Sequence, residues 1–173
     1  MGQYYLPVNL DKRQYLDPHK FDDGLKLLEF GLSSCGTMLG LAVLLADGNN
    51  RGCGDLHSDD PIIGSWAGDR IVIAGDYADP GKFMEADEPD LQAIADKHFS
   101  EGFQQVERVN LYCVARERFE DVSEKVIAAL TSDDYIKARF ERTLGETYKS
   151  SPFTQAMERV RGLRPDLVIT AGA

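Results

Sequence analysis

The chain has 173 residues, 43% hydrophobic and 28% charged, which describes a folded chain rather than a disordered one, with length for one domain and an ordinary core. Its net charge of −10 is uneven, with 17 acids against 8 Lys and Arg in residues 1–100, so the clustered cations that neutralise nucleic-acid phosphates are lacking there and no direct nucleic-acid binding is expected. No apolar run approaches the roughly 18 residues that cross a bilayer, and Met-Gly-Gln-Tyr-Tyr-Leu-Pro has neither the basic nor the apolar region of a signal peptide, so the reading is cytoplasmic, without a membrane partner.

In chain order, residues 3–10 and 13–16 predict a β-hairpin around Asp11-Lys12, with Pro7 marking an edge strand or a bulge. Residues 17–24 are turn chemistry. Residues 25–30 read as a third strand, with a helical turn as the alternative. Ser33 or Ser34 caps the next element, residues 36–46, whose Met38, Leu39, Leu41, Val43 and Leu44 predict a helix apolar on nearly every side and central to the core. Residues 48–63 form a long, Gly-rich, acidic loop, and loops of that length are more often functional than idle. Residues 70–75, an apolar run with a charged start and a glycine exit, predict a buried strand.

Asp87 to Asp90, with Pro89, opens a helix that runs to about residue 99. Residues 106–115 are apolar without a period and fit either helix or strand. Asp121-Val-Ser-Glu124 has capping-box spacing and starts a helix to Leu130. Ser132 caps another with Tyr135, Ile136 and Phe140, Ser151-Pro152 opens a third that Gly162 stops, and residues 167–170 end the chain in a strand. This order predicts a single α+β domain, a mixed β-sheet with helices packed on it.

Several chemistries lack their motifs. Gly52-Cys53-Gly54 begins like a dinucleotide fingerprint, but no third glycine follows at 57 and no Walker pattern occurs. Residues 48–81 hold six Asp against Arg51 and Arg70, which repels a bare phosphate. Gly64-Ser-Trp-Ala-Gly68 carries Trp where a nucleophile elbow needs Ser. Cys35, Cys53 and Cys113 are odd in number and form no Cys-x-x-Cys pair, so small buried side chains are their simplest role.

Two candidate sites remain. Asp55, His57 and Asp59 are spaced i, i+2, i+4, on one face of an extended segment, and Asp60, Asp76 and Asp79 join them across the loop. One imidazole with carboxylate oxygens suits a divalent metal (Mg²⁺, Mn²⁺ or Zn²⁺) that activates water for hydrolysis of a phosphoester or glycosidic bond; a solvated acidic loop is the commoner fate of such residues. No other cofactor is implied. The second candidate is a ligand surface built on the turns flanking the 70–75 strand, from Trp66, Asp69, Arg70, Asp76, Tyr77 and Asp79. Trp66 serves there as a stacking platform, or else as a core plug, its commoner role.

Met1-Gly2-Gln3-Tyr4-Tyr5, Val8-Asn9-Leu10, Gly64-Ser-Trp-Ala-Gly-Asp-Arg-Ile71 and Ala74-Gly-Asp-Tyr-Ala-Asp79 together resemble a family of small bacterial and phage proteins of unknown function. The similarity extends through Asp121-Val-Ser-Glu124 and Arg164-Pro-Asp-Leu-Val-Ile-Thr170. It implies no activity and assigns no catalytic residue, although a phage association points toward host interaction. Three functions follow as expectations. The first is a small binding or interaction protein whose acidic 48–81 face meets a small molecule or protein partner. The others are a metal-dependent hydrolase and an acidic inhibitor of a nucleic-acid-binding host protein.

Overall fold

The computed structural model describes residues 2–33, 35–52, 55–99 and 106–134. The sequence-predicted helices after Ser132 and Ser151 and the strand at 167–170 lie outside these. Among the described residues four strands form one mixed sheet: β1 (Tyr5–Asn9), β2 (Gln14–Tyr15), β3 (Ile71–Gly75) and β4 (Glu120–Asp121), in the order β3-β1-β2-β4. β1 runs antiparallel to both neighbours, while β2 and β4 are parallel. Helices α1 (Leu27–Gly31), α2 (Thr37–Leu45), α3 (Leu91–His98), α4 (Leu111–Arg118) and α5 (Ser123–Thr131) pack around it, which is an α+β architecture.

β1 is the strand most enclosed. Leu6 and Val8 meet Ala74, Leu111, Tyr112 and Ala115 of β3 and α4. A second cluster gathers Leu41 and Leu44 of α2, Val126 and Leu130 of α5, Phe21 and Trp66. Ile94 and Ala95 of α3 close on Cys113 and Val114, the far side of α4.

Four expectations change. Pro7 lies in a central strand, not at an edge. Its carbonyl accepts the Leu16 N–H at 3.0 Å, so its nitrogen faces the side where β2 has already ended and no ladder donor is needed. The 70–75 strand forms, but at the sheet edge, with Ile73 exposed rather than buried. Residues 25–30 hold a short helix, not a strand, because Glu29 reaches back to accept the Lys26 N–H at 3.1 Å. The cap of α2 is Asp23 from the preceding turn, not Ser33, while Ser34 lies outside the described residues: the Asp23 Oδ2 accepts both the Thr37 N–H and the Thr37 hydroxyl at 2.7 Å.

The ambiguous stretch 106–115 resolves into a 3-10 turn and α4. Asn110 starts that helix, its Oδ1 accepting the Cys113 N–H while its amide donates to the Asp76 carbonyl at 2.9 Å. In the predicted capping box Asp121 accepts the Ser123 N–H, while Glu124 pairs with Lys20 instead of returning to the backbone. Among the described residues no helix is long and apolar enough to cross a membrane.

Candidate functional site

The β1–β2 turn closes with the Asn9 side chain accepting the Lys12 N–H at 2.9 Å and with Arg13 in the left-handed region, φ 51°. From there Arg13 meets the segment before α3. Its Nη2 donates to Glu88 Oε1 at 2.6 Å and its Nη1 to Glu88 Oε2 at 3.1 Å, a forked pairing. Glu88 is only 2% exposed at its side chain, so the guanidinium supplies most of what water would have given that carboxylate. These bonds hold the Arg13 pKa above its ordinary value, against the opposing effect of burial. The Phe119 ring, at the end of α4, lies 4.4 Å from the guanidinium carbon.

A second forked arginine stands beside it. Arg70, just before β3, donates through Nε and Nη2 to Asp11 Oδ1 at 2.8 and 2.6 Å, and its backbone N–H takes Asp11 Oδ2 at 2.7 Å. The Arg70 hydrogen bonds hold the Asp11 carboxyl below its ordinary pKa. Arg70 keeps 74% of its side chain exposed.

Between the two arginines opens a cleft of about 170 Å³, floored by Met84, Leu111, Val114 and Phe119 and rimmed by Arg13, Arg70, Phe83 and Glu85. Phe83 is 54% exposed and sits in the left-handed region, φ 62°, where an aromatic residue is strained. The charged side chains that line the cleft balance, Arg13 and Arg70 against Glu85 and Glu88, with Glu85 Oε2 3.5 Å from Arg13 Nη1; Asp11, outside the lining, holds Arg70. A broader depression of about 450 Å³ lies between Asp60-Pro61-Ile62 and Lys125-Ala128 of α5, but few groups converge on it.

The residues expected from the sequence are largely dispersed. Trp66 is wholly buried in the α2–α5 cluster, with its indole N–H donating to Gln14 Oε1 at 2.8 Å, so it offers no ring face to a ligand. Asp69 takes Lys12 Nζ and, at 2.7 Å, Asn9 Nδ2; these bonds lower its pKa. Asp76 accepts the Tyr4 N–H at 2.9 Å at the far end of β3, roughly 20 Å from Asp69 at about 3.3 Å per extended residue. Tyr77 and Asp79 are exposed beyond that end. Only Arg70 of this set lines the cleft.

Asp55 is absorbed in its own loop, accepting the Arg51 and Gly52 N–H groups at 2.6 and 3.0 Å, and Asp59 accepts from Asn50 Nδ2 at 3.1 Å. The His57 backbone N–H donates to Asp133, and its ring is exposed. Among the described residues no three His, Cys, Asp or Glu side chains gather around one point that could hold a metal.

The sequence reading missed Arg13, Phe83, Glu88 and Phe119. Arg13 and Glu88 stand 75 positions apart, and nothing local distinguishes this Glu from its acidic neighbours. No family model matches the chain, and neither curated proteins nor solved structures give a significant match to it.

Proposed function

We propose that this protein is an interaction module whose cleft takes one apolar side chain from a basic segment of a partner protein. The observation that carries the reading is the cleft itself, small, apolar-floored and edged by paired charges. Its volume decides between ligand classes. Sites for drug-sized molecules and cofactors run to roughly 300–1,000 Å³, whereas a cavity of about 150 Å³ already holds a benzene ring. At about 170 Å³ the cleft matches a single ring or branched side chain. The chain's net charge of −10, with Glu85 largely exposed at the cleft, favours cations flanking that anchor.

The test is fluorescence anisotropy with labelled pentapeptides Lys-Lys-X-Lys-Lys, where X is Phe, Leu or Ser. Burying an aromatic or branched anchor contributes roughly 1.5–3 kcal/mol, so the Phe and Leu peptides should bind about 10- to 100-fold tighter than the Ser peptide. Glu85→Lys, at an exposed position, should weaken all three. Equal affinity for Phe and Ser, or indifference to Glu85→Lys, would refute the anchored-cleft reading.

A further inference from the structure

Among the described residues β3 is an edge strand, with only one side of its backbone paired. Val72 and Ala74 turn their peptide groups toward Val8 and Leu6 of β1, and Arg70 and Asp76 continue that ladder through Leu10 and Tyr4. The alternation therefore turns the N–H and C=O groups of Ile71, Ile73 and Gly75 outward. Among the described residues no hydrogen bond meets Ile71 or Ile73 on that side, and the Gly75 carbonyl takes only the Ala78 N–H of the next turn. Free edges are commonly guarded by Lys, Pro or a bulge. Ile71–Gly75 has none of these, and Ile73 stands 37% exposed at its centre.

The segment is also complementary to itself when read antiparallel. With a two-fold axis at Ile73, Ile71 meets Gly75 of a second copy, Val72 meets Ala74, and Arg70 meets Asp76. Each flanking pair sets a branched side chain against a small one, and each end sets a cation against an anion. Moving the axis to Val72 or Ala74 keeps the backbone pairing but places Arg70 against Ala74, or Asp76 against Val72, and the charge match is lost. We infer that the outer edge of β3 pairs with β3 of a second copy about an axis at Ile73, joining the two sheets into one.

Sedimentation velocity over a dilution series of the full chain tests this. The mass should rise with concentration from 19.2 kDa toward twice that value. Ile73→Lys should stay monomeric at every concentration while keeping the wild-type circular dichroism spectrum. Ile73→Cys should give a dimer linked by a short bismaleimide, whose reach spans a hydrogen-bonded cross-strand pair, above the background that the native cysteines give in wild type. Wild type that remains monomeric throughout overturns the inference, as does a dimer that survives Ile73→Lys, which would place the contact on another face. A dimer that Ile73→Cys fails to cross-link overturns the axis at Ile73.

Discussion

Arg13 and Glu88 are joined by two parallel hydrogen bonds, at 3.1 and 2.6 Å, across a sequence separation of 75 residues. That single pairing ties the hairpin turn to the segment entering α3, and Phe119 beneath the guanidinium brings in the end of α4. The cleft exists because these three pieces of chain are pinned together.

Removing the arginine should therefore cost more than an ordinary surface change. Breaking a buried pair costs about 3–5 kcal/mol; with Arg13 about one-third exposed, Arg13→Ala should lose roughly 2–4 kcal/mol in urea unfolding. Alanine also keeps the strain of a φ of 51°, whereas glycine does not. Arg13→Gly should then lose less than Arg13→Ala, by about 0.5–1 kcal/mol after glycine's own entropic cost. Losses below about 1 kcal/mol for both variants would show that Glu88 is hydrated without its partner.

Trp66 is the only tryptophan, so its burial can be read directly by fluorescence. Emission from the folded chain should be blue-shifted and poorly quenched by acrylamide, moving to the red on unfolding. Gln14→Leu removes the acceptor of a buried indole N–H and should cost about 1–3 kcal/mol. Strong quenching in the folded state would mean that the ring reaches solvent after all.

What could be read from the chain beforehand follows from the range of the forces involved. The long apolar run of α2 and the branched run of β3 showed in the sequence because burial and strand propensity act over a few neighbouring residues. Leu25 to Phe30 misled because apolar side chains at 25, 27, 28 and 30 fit either period, and a side-chain bond from Glu29 decided for helix. Pro7 misled because the rule for prolines in sheets assumes a full-length neighbour, and β2 has only two residues. The carboxylates at 55, 69, 76 and 79 read as one cluster because their positions in sequence carry no direction in space; β3 separates Asp69 from Asp76. The cleft was illegible because Arg13, Arg70, Glu88 and Phe119 come from four separated segments.

Asp23 gives a pH dependence whose direction is fixed. Burial raises its pKa above 3.8, while the bonds from Thr37 and Ser33 pull the other way. Between 3.8 and the raised value the folded chain retains a proton that the unfolded chain releases, so this group's contribution to stability falls as pH rises through that window. Asp11 and Asp69 have lowered values and act oppositely, losing their contribution as pH falls. Comparison with Asp23→Asn cancels those shared terms. The stability of wild type relative to Asp23→Asn should decline as pH rises from 3.8 through the raised value and level off above it, measured by urea unfolding at each pH. A flat or rising difference would mean that the carboxylate carries no desolvation penalty.

Phe83 separates binding from stability. An exposed aromatic with a φ of 62° is held in a conformation that asparagine tolerates better, and its ring contributes little to the core. Among the described residues its one stacked cation is Lys82, 5.2 Å from the ring centroid, a contact of roughly 0.5 kcal/mol at an exposed site. Phe83→Asn should consequently match or exceed wild-type stability, within a gain of about 1 kcal/mol. The same variant removes one wall of the cleft, so the affinity for Lys-Lys-Phe-Lys-Lys should fall several-fold while the Ser peptide is unaffected. Thermal unfolding and anisotropy on one preparation measure both effects. A drop in stability with binding intact would assign Phe83 to the packing of the fold and take it out of the recognition surface.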